Sequence, residues 1–89
     1  MSNDRDAILA RLRTLLVTLA AGLGRDARGI TDDELIPDAD VLDSAGLIEF
    51  VMQIDTIYQL DLQDEDMTID NFGSLAATAA FIAGRDGSK

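Results

Sequence analysis

Asp43 and Ser44 stand side by side where a stretch rich in Gly and Asp gives way to an apolar-periodic run. A serine at such a junction lies at a helix N-terminus, where free backbone N–H groups and the helix dipole stabilise a phosphate. Without a base, a serine is a weak nucleophile, and the chain has no His and no Cys. Ser44 can still be phosphorylated or otherwise modified by an enzyme that brings its own catalytic groups. Ala45 and Gly46 follow it and put little bulk around the hydroxyl. The competing reading is structural, because Asp and Ser both cap helices and either Asp43 or Ser44 would serve. Carboxylates are abundant, 17 Asp and Glu in all. Nothing in their spacing singles out a catalytic pair, and the chain is not expected to be an enzyme.

The remaining composition narrows the function further. An 89-residue chain is one small domain, 1–89, with a core over about 4–84 and a C-terminal tail, 85–89, expected to be flexible. Missing Cys and His also removes disulfides and the usual zinc ligands. The formal charge is −10, which disfavours nucleic acid and anionic membranes. The N-terminus is polar and mixed in charge, and the first apolar stretch is broken by Arg11, Arg13 and Thr14. It resembles neither a signal peptide nor a membrane span, so a cytoplasmic protein without membrane insertion is expected. All seven Lys and Arg lie near the two ends, and none lies between Ile30 and Gly84. That interval holds 13 acidic residues, the full set less Asp4, Asp6, Asp26 and Asp86. Such a block repels itself, and it fits a docking surface for basic partners.

Three main helices and one minor one would position these groups. Ile8, Leu9, Leu12, Leu15, Leu16 and Leu19 recur at helical spacing over 4–21, with Gly22 and Gly24 as the stop. A long loop over about 22–42 follows, with Ile30, Leu35, Ile36, Val41 and Leu42 as apolar anchors. A second helix over 44–59 would present Leu47, Ile48, Val51, Met52, Ile54, Ile57 and Tyr58. Asp64, Glu65, Asp66 and Met67 would make one or two turns, flanked by Leu60, Leu62, Ile69 and Phe72. Ser74 would cap a last helix facing Leu75, Ala79, Ile82 and Phe81 inward and ending near Ala83 at Gly84. No strand pair, internal repeat or low-complexity segment is evident.

The segment 42–67, LDSAGLIEFVMQIDTIYQLDLQDEDM, resembles the Asp-Ser signature and recognition helix of acyl carrier proteins. Glu49, the Val51-Met52 pair and the acidic Asp64-Glu65-Asp66 match that pattern, and the likeness extends over nearly the whole chain. The resemblance implies an all-α, four-helix acyl-carrier-like bundle with a long loop between helices 1 and 2. It implies that Ser44 carries 4′-phosphopantetheine, taken from coenzyme A, with Asp43 recognised by the phosphopantetheinyl transferase. The thiol of the arm would hold an acyl or aminoacyl group as a thioester, in fatty acid or lipid biosynthesis. Leu47, Ile48, Glu49, Met52 and Asp55 would form the docking face for the transferase, a loading ligase and acyl-transferring enzymes with basic surfaces. Val51, Met52, Leu62 and Ile69 are otherwise read as core; Val51, Leu62 and Ile69 would shelter an acyl chain, and the carrier would be a monomer. Ala45 and Gly46 depart from the Asp-Ser-Leu-acid pattern of fatty-acid carriers. A glycine two places after the serine is more similar to D-alanyl carriers and specialised stand-alone carriers. Fatty acyl, hydroxyacyl and aminoacyl cargoes all stay open.

Two other readings compete. Asp38, Asp40 and Glu49 fall at places 1, 3 and 12 of an EF-hand loop, but Leu42 and Asp43 occupy places 5 and 6. A side-chain oxygen and a glycine are needed there, so a calcium site is not expected. An unmodified acidic interaction adaptor would explain the charge, though not the Asp-Ser junction.

Overall fold

A stripe of apolar residues at four-residue intervals builds the first helix, α1 (Arg5–Gly22). In the computed structural model, which describes the backbone of residues 5–87 and the side chains of 5–85, Ile8, Leu12, Leu16 and Ala20 of this stripe are buried. Leu9, Leu15 and Leu19 are half-buried beside them. Gly24, in the left-handed region at φ 77°, turns the chain back, and the Arg25 N–H donates to the Ala20 carbonyl at 2.9 Å. Further helices and turns follow: α2 (Ile36–Ala39), α3 (Ser44–Tyr58), a 3-10 turn (Asp64–Asp66), α4 (Ile69–Phe72) and α5 (Leu75–Gly87). There is no strand among the described residues.

The expected long helices are present, and α3 starts where the sequence places it. The expected count of one minor helix is too low. The stretch read as a continuous loop contains α2, a single turn with Pro37 in its first positions, where the missing N–H costs nothing. Ala27 joins the core alongside Ile30, Ile36, Val41 and Leu42, while Leu35 stays exposed just ahead of α2. Arg13 stitches this connection to α1, donating to the Ile30 carbonyl at 2.7 Å and to Asp32 at 2.6 Å. A second missed turn, α4, is capped by Thr68, whose hydroxyl accepts from the Asn71 N–H at 3.2 Å. Ser74 caps α5 as expected, its hydroxyl accepting from the Ala77 N–H at 3.0 Å. Gly84 does not stop α5, which continues through Gly87. Of the expected tail 85–89, residues 85–87 are helical, and 88 and 89 lie outside the described residues.

α1 packs against both α5 and α3, and α4 against α5. Leu12, Leu16, Phe50, Ile54, Leu75, Ala79 and Ile82 meet in a largely aliphatic core. The small residues Ala20 and Ala79, both fully buried, let helices approach closely. Two backbone bonds fasten the α1–α3 connection to the α4–α5 junction. The Ile36 N–H donates to the Gly73 carbonyl at 2.7 Å, and the Ala76 N–H to the Asp32 carbonyl at 2.9 Å.

Candidate functional site

Asp43, not Ser44, caps α3: its carboxylate accepts from the Gly46 N–H at 2.7 Å. Ser44 is thereby the first residue of the helix proper, exposed between exposed Asp43 and Ala45. No hydrogen bond within the described residues engages the Ser44 side chain. Gly46 has a packing reason to be glycine. A Cβ there would stand 3.1 Å from the Asp43 carboxylate and 3.3 Å from both Leu23 and Leu42. The missing side chain lets Leu23 close over the first turn of α3 without disturbing the cap.

Leu47 and Ile48 lie one turn beyond Ser44, on its side of the helix. With Val51, they form one wall of an open groove of about 220 Å³ whose other wall is Pro37, Met67, Thr68, Ile69 and Phe72. The groove is almost wholly apolar; its one polar side chain, Thr68, is engaged in capping α4. Of the three residues read as a shelter, Val51 and Ile69 line this groove and Leu62 does not. Ile69 is not core, being 58% exposed, and Leu62 is half-buried. Sequence reasoning missed Pro37, Met67, Thr68 and Phe72 as lining. The signal for them was the Thr68 cap, which sets the turn that brings Met67 and Ile69 to the groove.

The residues read as a docking face are divided. Ile48, Glu49 and Met52 are exposed, Leu47 and Asp55 half-buried. Asp55 lies eleven residues beyond Ser44, about three turns, and so in line with it. Glu49 belongs to the neighbouring row with Met52 and accepts from Gln53 at 2.7 Å. Met52, an expected core residue, is 59% exposed, and Phe50, outside the expected apolar face, is fully buried. Ile48 and Met52, one turn apart, leave α3 with an exposed apolar pair, and Ile57 is exposed on the opposite side from Ile48.

The charge picture also changes. The acidic interval is not wholly unneutralised, because Arg13, Arg25 and Arg85 reach into it to Asp32, Asp40 and Asp66. None of the described ion pairs involves Asp43, Glu49 or Asp55, so α3 and its cap keep their negative charge. The Gln63 N–H, and then Arg85, hold the Asp66 carboxyl below its ordinary pKa. Burial pushes the Tyr58 phenol up against a weaker opposing pull from Arg11. Among the described residues no three acidic side chains converge as metal ligands, and no helix is long and apolar enough to cross a membrane.

Comparison with protein-family models, with curated proteins and with solved structures found no match. The functional reading therefore rests on the geometry of Ser44 and on the sequence resemblance.

Proposed function

We propose that the chain is an acyl carrier protein whose Ser44 hydroxyl is joined to 4′-phosphopantetheine in a phosphodiester. The observation that carries this reading is the exposed Ser44 hydroxyl, freed from capping by Asp43, at the N-terminus of α3. The three long helices, with short turns between the second and third, accord with the acyl-carrier-like bundle that the sequence resemblance implies.

The residues present fit the group. First-turn N–H groups of α3 not taken by Asp43 favour the negative charge of a phosphate. Ala45 and Gly46 leave the hydroxyl open to a transferase. When bound, the group supplies the thiol this Cys-free chain lacks, which holds an acyl or aminoacyl group as a thioester. The chain's own residues deliver and identify the cargo. Ile48 and Met52 offer apolar contact, and Asp43, Glu49 and Asp55 offer charge to basic surfaces on the transferase, a loading ligase and acyl-transferring partners. Such encounters are fast and weaken with salt. The bond chemistry belongs to the partners, and the carrier acts as a monomer.

The test is intact mass after incubation with coenzyme A and a promiscuous phosphopantetheinyl transferase. Wild type gains one phosphopantetheine, and Ser44→Ala gains nothing. An unmodified wild type would favour the second reading, an acidic adaptor that uses the exposed Ile48 and Met52 directly.

A further inference from the structure

Residues 60–72 form a strap that runs from the end of α3 to the start of α5 and supplies Met67, Thr68, Ile69 and Phe72 to the groove. The buried side chains of the strap are at its ends, Leu60 and Phe72, and half-buried Leu62 packs against the core beside the first. Everything between is exposed except for half-buried Leu62, Asp66 and Asn71. Gln59 and Asp61 flank Leu60 with φ of 53° and 55°, a left-handed conformation disfavoured for residues with a side chain. A segment with so few buried contacts opens more readily than the helices around it.

One side chain from α5 holds the strap along its length. Arg85 donates to the Leu60 carbonyl at 2.6 Å and to the Asp66 carboxylate at 3.2 Å. Asp66 in turn accepts from the Gln63 N–H at 3.0 Å, and its own carbonyl accepts from Asn71 at 2.8 Å. The guanidinium also lies 5.4 Å from the centre of the Phe81 ring, within cation–π range. Phe81 meets Phe72 edge-on, with centroids 5.2 Å apart. The start, the middle and, through Phe81, the end of the strap thus converge on Arg85. Among the described residues no other basic side chain pairs with the strap.

We propose that Arg85 is a positioning residue, the clasp that keeps the strap against α5 and so sets how far the groove between strap and α3 opens. The identity of the groove's occupant, an aliphatic chain carried from Ser44, rests on the proposed function; the clasp itself does not.

The test is amide hydrogen exchange on the full unmodified chain, comparing wild type with Arg85→Gln and Asp66→Asn. The expected result is exchange about tenfold faster over 61–72 in Arg85→Gln, with amides in 12–20 and 50–54 changed less than about twofold, the pattern of local opening. Asp66→Asn, which keeps the bond to Leu60, gives a smaller acceleration in the same segment. Arg85→Lys restores part of the protection. Binding of the uncharged apolar dye N-phenyl-1-naphthylamine rises several-fold in Arg85→Gln. Equal acceleration throughout the chain, or unchanged exchange over 61–72, would overturn the proposal. Both readouts are independent of modification, so failure of Ser44 to accept phosphopantetheine leaves them interpretable.

Discussion

Replacing Gly73 by Ala is expected to unsettle the join between the α1–α3 connection and α5, for a reason that is steric rather than conformational. Gly73 has ordinary helical angles, φ −77° and ψ −23°. A Cβ there would nevertheless collide with the Ile69 carbonyl oxygen and come within 2.9 Å of Ile69 Cγ2. Backbone, not a flexible side-chain tip, is in the way, so the turn must move. Two bonds are then at risk: Gly73 N–H to the Ile69 carbonyl at 2.8 Å and Ile36 N–H to the Gly73 carbonyl at 2.7 Å. At about 1 kcal/mol each, with a similar cost for shifting Phe72, the loss is about 3 kcal/mol. The restricted unfolded chain returns about 0.4–1 kcal/mol. The net destabilisation of about 2 kcal/mol lowers the Tm by about 8–16 °C in a domain of this size. Urea and thermal melts followed by circular dichroism measure it. Gly84→Ala is the control: it is exposed within α5, with nothing within 4 Å of a Cβ, and should stabilise by about 0.5–1 kcal/mol. A Gly73→Ala protein within about 0.5 kcal/mol of wild type would refute the steric account.

Asp43→Ala should cost about 1 kcal/mol through loss of the α3 cap, whereas Ser44→Ala should change stability by less than about 0.5 kcal/mol. Equal losses in urea melts would sink that division of roles. Acid should also reveal two carboxylates. Asp26, bonded by the Arg28 side chain and then its backbone N–H, is lowered from 3.8 to about 2. Asp66 is lowered by the Gln63 N–H and then by Arg85. Both pKa values fall on folding, so their contribution is complete above the unfolded pKa and is lost as pH drops through the folded one. For Asp26 the window runs from roughly pH 4 to about 2. Melting curves of Asp26→Asn and Asp66→Asn should lose less stability than wild type on acidification; curves parallel to wild type would contradict it.

The parts of the fold legible in the sequence were those where one periodicity had no competitor. α1 shows this: its apolar positions form a stripe bordered by Arg and Thr, and the buried residues fall on it. α3 was legible in extent but not in orientation. Leu47, Ile48, Phe50, Val51, Met52, Ile54, Ile57 and Tyr58 surround it, more apolar surface than two neighbouring helices can cover. Tertiary packing chose Phe50, Val51 and Ile54 and left Ile48, Met52 and Ile57 outside. The one-turn helices α2 and α4 lack any periodicity, and only Pro37 and the Thr68 cap announce them. Gly84 reads as a stop by local rules alone, but Arg85 on the same turn bonds to Leu60 and Asp66, contacts far away in sequence. At the candidate site, Ser44 and the Asp43 cap were legible as a pair. Which of the two capped the helix, and which residues walled the groove, depended on contacts distant in sequence.

The assignment of the cap to Asp43 bears on the linkage between folding and whatever is done to Ser44. A side chain with no bond to the rest of the molecule has nothing to lose when it is esterified. A group added there shifts the folding equilibrium only by the difference in its own interactions with the folded and unfolded chains. Apart from what a phosphate would gain from the helix terminus, adding a group at residue 44 or removing it would leave the scaffold's free energy where it was. Under the proposed function, Ser44 would serve as an attachment point whose state the protein's stability does not record.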